Sequence, residues 1–425
     1  MRQGINIRGS FGKSVLTLLS GTALAQLIPL MISPLLTRIY DPVQFGQLAL
    51  LMAVLNPLCV IASGKYELTV MLPKDEQNAH RIVTLSVFIG MILSAVLGIS
   101  AYLGVDIINA LFGIDFHPSF FYLLPTGLFM MGIWQPANYY FMRKEEYRKM
   151  SVNKVVQMAA ISLLSLAFGY WGIEDGLMFG YILGWTALAF MTLYQLKQIG
   201  FRFTFSDFNG MKEMASRYKD YPVYNLLPSF LNTLALSVPV FILTSKFSQE
   251  DTGYFNLCRQ ILFIPSSFLA TSIAQVYFQR VARNRQIAVP LRRDFLSLLK
   301  VLGLIALLIF ITLITAGPDL FAFVFGNEWR LSGDFSRILA LSICMQFVVI
   351  PISFSLPAIE KIRHTSLWQV IYFSSVAALF FFPYSEVESF LWSLTILEFV
   401  AYAIYLFWIY RLLVRHDREK MNSAA

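Results

Sequence analysis

The sequence predicts an all-helical, polytopic membrane protein with about twelve transmembrane helices in two parallel six-helix lobes. About twelve segments of roughly twenty apolar residues follow one another, and each is long enough to cross a bilayer core as a helix. Hydrophobic residues make up 57% of the 425 residues and charged residues only 14%. A soluble domain would carry about a quarter charged residues. Composition therefore excludes an ordinary soluble fold.

The basic residues are concentrated in every second connection between the apolar segments. They precede the first segment and follow the fourth, sixth, eighth and last, as with Lys13, Arg143, Lys212, Arg283 and Arg415. By the positive-inside rule, both termini are expected on the cytoplasmic side, and the number of spans is even. These loops also account for the net charge of +8. No basic stripe with interleaved aromatic residues indicates a nucleic acid partner.

The predicted spans fall into two sets of six. The first set is expected near 14–36, 47–72, 82–105, 118–142, 151–170 and 177–197. The second set is expected near 220–244, 253–278, 295–316, 335–358, 366–383 and 390–412. The polar stretch 198–218 separates them. We therefore predict an N-terminal lobe over 1–197, a cytoplasmic linker over 198–218 and a C-terminal lobe over 219–425.

The two halves resemble each other in sequence. Three pairs share one offset in otherwise polar loops, where matches by chance are uncommon: Glu145 with Glu360, Arg148 with Arg363, and Ser151 with Ser366. The dipeptides Phe112-Gly113 and Phe325-Gly326 lie upstream of these pairs. Because each half has six predicted spans, the repeats are parallel and related by an axis along the membrane normal. This architecture predicts a cavity between lobes that rock to give alternating access.

No cofactor or metal site is predicted. The three cysteines, Cys59, Cys258 and Cys344, all fall within predicted spans, and there is no Cys-x-x-Cys pair. The four histidines are scattered and do not have the spacing of zinc ligands. No nucleotide-binding motif is present, so we expect transport to be driven by an ion or substrate gradient.

Several motifs resemble those of polysaccharide-exporting flippases. The stretch from Gly64 to Asp75 is similar to the family's basic-Tyr-Glu-x-Ala-Ile-x-Leu-Pro motif, with Lys65 where Arg is common and Thr69-Val70 where Ala-Ile is usual. Further similar stretches are Tyr221–Ser229, Gly253-Tyr254-Phe255 and Phe325–Trp329. The resemblance extends to at least residue 360. It identifies the chain as a member of the Wzx-type branch of the MOP superfamily, which also contains the MATE multidrug antiporters.

The resemblance implies a substrate, partners and a location. Such proteins carry undecaprenyl-diphosphate-linked oligosaccharide repeat units from the cytoplasmic to the periplasmic leaflet, for O-antigen, capsule or exopolysaccharide export. The expected location is the bacterial inner membrane, where lipids surround the protein. The lipid-linked oligosaccharide is the expected ligand, and a polysaccharide polymerase and the export machinery are the expected partners.

Ionisable side chains inside spans predict the site, because charge is costly in a membrane and tends to face cavities or partners. Lys65 is expected to contact the diphosphate. Glu67 is expected to bind a sugar hydroxyl or to carry a proton, and Tyr66 to stack on a sugar ring. On one continuous helix Lys65 and Glu67 would point to different sides and would not pair. The alternative is that both reach water near the end of the span.

Two deeper groups complete the predicted set. Arg259 lies about two turns into the eighth span, where a guanidinium suits an anionic lipid headgroup. The alternative is an arginine that reaches the interface or a helix-end carbonyl. Glu398 lies near the middle of the last span, where desolvation favours the neutral acid. It is either a proton-coupling group or, as we favour, an acid bonded to a neighbouring helix.

Two other functions remain open from the sequence. A cation-coupled multidrug antiporter of the same superfamily is the first, although Lys65 and Arg259 favour anionic cargo. A membrane-bound polysaccharide polymerase or ligase is the second. The longest predicted periplasmic loop, about 317–334, is short for such an enzyme and has no convincing acid–base pair, so we expect no enzyme.

Overall fold

The computed structural model describes residues 10–112, 118–263, 291–359 and 361–424. Within these ranges the chain is helical with no β-strand. Eight of the described helices are long and apolar enough to cross a membrane. The protein is therefore a multi-pass, all-helical membrane protein, as predicted.

The described residues fall into two compact units, Met1–Ser237 and Val238–Ala425. The first unit contains α1 (Ser10–Leu36), α2 (Pro42–Ala62), α3 (Glu76–Phe112), α4 (Pro118–Arg143), α5 (Tyr147–Tyr170), α6 (Gly176–Gln198) and the short α7 (Phe208–Arg217). Helix α8 (Asp220–Lys246) runs across the division. The first unit thus includes the stretch 198–218, which we predicted as a linker and which contains α7.

The second unit contains helix α9 over 249–263. It continues with α10 (Leu291–Phe325), α11 (Arg330–Ser353), α12 (Ser355–Ala358), α13 (Ile362–Ala378) and α14 (Val387–Ala424). The part of the predicted eighth span beyond residue 263 lies outside the described residues. Of the two Phe-Gly dipeptides in the sequence repeat, Phe325-Gly326 marks the end of α10, and Gly113 lies outside the described residues.

Close helix contacts in the first unit depend on glycine. Helix α6 repeats glycine at every fourth position, Gly176, Gly180 and Gly184. A Cβ at Gly180 would lie 2.7 Å from the backbone nitrogen of Ser165, and one at Gly184 would lie 2.9 Å from that of Ile161. Small residues at this spacing let two membrane helices approach through their backbones. They explain why α6 packs tightly on α5.

Helix α2 begins with a capping box formed by Asp41 and Gln44. Asp41 accepts a hydrogen bond from the backbone of Gln44, and the Gln44 side chain accepts one from the backbone of Asp41. This reciprocal capping satisfies two amides that have no partner within the helix. Pro42 follows at the first helical position, where its fixed φ is favourable. Packing of α2 and α6 against α4 then forms the interior of this unit.

Candidate functional site

The predicted second span, 47–72, is interrupted before the Lys65 motif. Helix α2 ends at Ala62, and Gly64 and Lys65 both have left-handed backbones, with φ of +59° and +61°. A short 3₁₀ helix, Tyr66–Thr69, follows. A left-handed residue cannot continue a right-handed helix, and for a side chain other than glycine it is strained. The motif therefore forms a tight turn.

This turn brings Lys65 and Glu67 together. The Lys65 Nζ lies 3.8 Å from Glu67 Oε1, and only 12% of the lysine side chain is exposed. Our expectation that the two would not pair was wrong, because it assumed a continuous helix through both residues. The pair is almost completely shielded from solvent, so its electrostatic interaction is less screened than one on a surface.

Glu67 is fully buried, and two side chains donate hydrogen bonds to its carboxylate. Its carboxylate accepts a hydrogen bond of 2.5 Å from Ser63 Oγ and one of 3.1 Å from Gln135 Nε2 of α4. The residue lies outside the candidate membrane-spanning helices. Burial raises the pKa of Glu67, although the bond from Ser63, the nearby Lys65 ammonium and the bond from Gln135 oppose this. Burial and these donors thus act in opposite directions on the same carboxyl group.

A polar strip continues from Glu67 into α4. The Cys59 thiol of α2 lies 3.4 Å from the Gln135 Oε1 and donates to it, so Gln135 connects α2 with Glu67. Beside Gln135, the Trp134 ring meets Trp185 of α6 edge to face, with 5.5 Å between centroids. Gln135, Cys59 and both tryptophans are partly exposed. This strip offers hydrogen-bonding groups beside aromatic surface, which suits sugar hydroxyls and ring faces.

Tyr66 is directed elsewhere. Its hydroxyl donates to the backbone oxygen of Ala215 in α7, 3.2 Å away. Its ring packs against a buried cluster that includes Ile82, Phe141 and Met214. Tyr66 thus connects the turn to α7.

Arg259 and Glu398 meet at one cavity within the second unit. This small cavity is lined by Arg259, Ser342, Gln346 and Glu398, with Leu339 and Leu394 among its apolar residues. The Arg259 guanidinium lies over the Phe255 ring, 5.4 Å from its centroid. Among the described residues it makes no ion pair that would neutralise it. The cavity thus presents one guanidinium and one carboxyl group from the described residues.

Glu398 is fixed by two neighbouring helices. Gln346 Nε2 of α11 donates to one carboxylate oxygen and the Tyr372 hydroxyl of α13 donates to the other, each over 2.9 Å. Only 3% of Glu398 is exposed. Bonding to neighbouring helices is the arrangement that we favoured from the sequence.

Aromatic rings surround this bonded group. Trp368 stacks on Tyr405 with 4.4 Å between centroids, and Tyr372 packs against both Trp368 and Tyr402. We did not predict Gln346, Tyr372 or Gln135 as site residues. The signal that indicates Gln346 and Gln135 is a polar side chain within an apolar segment.

The described residues contain no group of three or more His, Cys, Asp or Glu side chains that could hold a metal ion. Nothing in these two clusters has the arrangement of a nucleophile with an adjacent base.

Comparison with known proteins gives a family and a fold. The model of the polysaccharide biosynthesis protein family matches residues 35–333, more than half of the chain. A sequence search of curated proteins finds no match.

Solved structures with the same fold are transporters. A lipid II flippase, MurJ, in an inward closed conformation aligns with a TM-score of 0.77 at 11% identity, over 96% of this chain and 91% of that one. An inward-facing MATE multidrug resistance transporter aligns with a TM-score of 0.67 at 13% identity, over 94% and 96%. A MOP-superfamily transporter from Pyrococcus furiosus aligns with a TM-score of 0.60 at 15% identity, over 97% and 98%. The chain belongs to the polysaccharide biosynthesis protein family and has the fold of MOP-superfamily transporters.

Proposed function

We propose that the protein is a flippase that moves an undecaprenyl-diphosphate-linked oligosaccharide from the cytoplasmic to the periplasmic leaflet of the bacterial inner membrane. The observation that carries the proposal is the cavity with Arg259 in the second unit of a MOP-type chain from a polysaccharide family. A guanidinium binds phosphate oxygens bidentately and stays charged at every physiological pH. An anionic diphosphate headgroup fits this site better than a cationic drug.

The polar strip of the first unit supports a carbohydrate cargo. Gln135, Glu67 and Lys65 offer an amide, a carboxylate and an ammonium, and Trp134 and Trp185 offer ring surface beside them. Ligand sites for polar molecules commonly combine aromatic walls with a few convergent polar groups. This strip is thus a candidate carbohydrate-binding surface of the first unit. Tyr66 belongs to the supporting turn in this scheme.

Transport in proteoliposomes tests the proposal. The purified chain is reconstituted with a fluorescent undecaprenyl-diphosphate oligosaccharide, and the glycan in the outer leaflet is removed by an added glycosidase. Flipping makes the protected half of the label accessible within minutes. Arg259→Ala is expected to lower the rate at least tenfold, whereas Arg259→Lys keeps the charge and a larger part of the rate. Arg411→Ala, at an exposed arginine outside the cavity, serves as the matched control.

Two outcomes would contradict the proposal. If label accessibility does not depend on the protein, but a cationic dye is expelled in exchange for protons or sodium, the chain is a drug antiporter. If the lipid-linked glycan is lengthened or transferred to an acceptor, the chain is a polymerase or ligase. Full transport by Arg259→Ala would remove that residue from the mechanism.

A further inference from the structure

The segment between α6 and α7 presents a row of aromatic rings on the outside of the first unit. Phe201 is buried, but the next two phenylalanines along this extended stretch, Phe203 and Phe205, are 36% and 45% exposed. Their rings stack with 5.3 Å between centroids and 13° between planes. Phe208, at the start of α7, is 60% exposed. Three neighbouring phenylalanines therefore face outward within six residues.

Hydrogen bonds to α3 fix this segment in place. The Thr204 backbone N–H donates to Thr84 Oγ1 over 3.1 Å, between the two stacked rings. Arg81, one turn earlier on α3, binds the Asp207 carboxylate over 2.6 Å. Asp207 also accepts from the Gly210 N–H and so caps α7. These bonds thus hold in place the segment that carries the exposed rings.

The anchoring residues set the depth of the rings along a membrane helix. The candidate span on α3 begins at Glu76. At about 1.5 Å per residue, Thr84 lies roughly 12 Å further along it. The stacked phenylalanines therefore lie beside the first turns of a membrane-spanning helix, where headgroups and the upper acyl chains are found. Phenylalanine is common on the apolar face of segments that lie at the boundary between headgroups and acyl chains.

Exposed basic residues lie close to these rings along the chain. Arg202 directly precedes Phe203 in the sequence. Lys212 lies one helical turn after Phe208, so Phe208 and Lys212 share a face of α7. Both are exposed, and neither makes an ion pair within the part of the chain that the structure describes. Arg217 and Lys219 are also exposed nearby, against the acidic Glu213 and Asp220.

We propose that an interfacial patch of Arg202, Phe203, Phe205, Phe208 and Lys212 is a binding site for an anionic phospholipid. Arg202 and Lys212 contact the headgroup phosphate, and the phenylalanine rings pack against the glycerol and upper acyl chains. Basic side chains next to a bilayer are attracted to anionic lipids in just this way. The site does not depend on which molecule the protein transports.

Lipid retention by the full-length protein tests this site. The chain is purified in detergent, mixed with equal amounts of phosphatidylglycerol and phosphatidylcholine, and analysed by native mass spectrometry. The wild type is expected to retain phosphatidylglycerol preferentially. Arg202→Gln with Lys212→Gln is expected to weaken retention of phosphatidylglycerol about tenfold and retention of phosphatidylcholine much less, because the choline cation already offsets the charge of its phosphate. Phe203→Ser with Phe205→Ser is expected to lower retention of both lipids.

Controls separate the site from net charge and from misfolding. Arg411→Gln removes an exposed arginine of another helix, α14, where it lies over Phe407, 4.7 Å from the ring centroid. It is expected to retain phosphatidylglycerol as the wild type does. Arg202→Lys with Lys212→Arg keeps both charges and is expected to retain the lipid. Equal retention by the wild type and the Arg202→Gln/Lys212→Gln variant would overturn the proposal, as would an equal loss in Arg411→Gln.

Discussion

Lys65 and Glu67 form an ion pair of 3.8 Å although only one residue separates them. The pair exists because α2 ends at Ala62 and two left-handed residues, Gly64 and Lys65, turn the chain back. An uninterrupted helix would place the two side chains on different sides. The strained turn is thus the feature that creates a compact polar group beside α4.

Loss of Lys65 is expected to destabilise the protein through Glu67. Lys65→Met leaves a buried carboxylate without its cation, and we expect the free energy of unfolding to fall by about 1–3 kcal/mol. Lys65→Met combined with Glu67→Gln removes both charges and is expected to recover most of this loss. Thermal unfolding in detergent measures both values. Additive effects of the two substitutions would contradict a direct interaction.

Glu398→Gln is expected to keep both stability and transport. The glutamine oxygen can accept from Gln346, and its amide can donate to the Tyr372 hydroxyl once that hydroxyl rotates. Glu398→Ala removes both bonds and is expected to cost about 2–3 kcal/mol, because two buried donors lose their acceptor. Thermal unfolding and transport in energised vesicles are measured side by side. Normal stability with no transport in Glu398→Gln would instead make proton exchange at this residue essential.

Gly180→Val is expected to disrupt the contact between α5 and α6. Even a single Cβ added at Gly180 would lie 2.7 Å from the Ser165 backbone nitrogen, so a valine side chain forces the two helices apart. Overpacking of this kind costs about 1–3 kcal/mol, and we expect a lower unfolding temperature and a lower yield in the membrane. Gly303→Val is the control, because a Cβ at that position meets no atom within 4 Å. Equal unfolding temperatures for the two variants would contradict the packing role of Gly180.

Acid is expected to loosen α7. The hydrogen bond from the Gly210 backbone, followed by that from Arg81, lowers the pKa of Asp207 in the folded protein. A lowered folded-state pKa stabilises the fold above the unfolded-state value, about 3.9, and this contribution is lost as pH falls through the folded-state value. Amide exchange over residues 207–214 should therefore be protected at pH 6 and lose protection below about pH 4.

The matched variant for α7 is Asp207→Asn. It lacks the charge at every pH, so its amides are expected to exchange faster than those of the wild type already at pH 6. Glu213→Gln, an exposed carboxylate on the same helix, is expected to behave as the wild type does. Identical exchange in the wild type and Asp207→Asn would show that the charge of Asp207 does not stabilise the helix.

Long apolar segments were sufficient to predict the helical membrane fold. Segments such as 118–142 and 177–197 correspond closely to α4 (Pro118–Arg143) and α6 (Gly176–Gln198), because length and hydropathy determine a membrane span. The break after Ala62 was not predicted, because apolar residues continue past it and Lys65 is an uncommon residue for a left-handed turn. Helix α7 was missed because its ten residues lie in a polar stretch.

The ionisable members of the site were predictable and their partners were not. Arg259 and Glu398 are conspicuous as charges within apolar segments. Gln346 and Tyr372, which bind Glu398, come from two other helices, and sequence distance alone does not pair them. Tyr66 was grouped with Lys65 because the two are neighbours, yet the 3₁₀ turn directs it to α7. Side-chain direction at a helix break is a tertiary property.

The leaflet in which the lipid-linked repeat unit accumulates tests the central claim most directly. The gene is deleted, and spheroplasts are labelled with a glycan probe that cannot cross the inner membrane, with lysed cells as the comparison. In the deletion strain, we expect the glycan to be hidden in intact spheroplasts and labelled only after lysis. The wild-type gene is expected to restore glycan to the surface, and the Arg259→Ala gene is not. Exposed but unpolymerised repeat units in the deletion strain would contradict it.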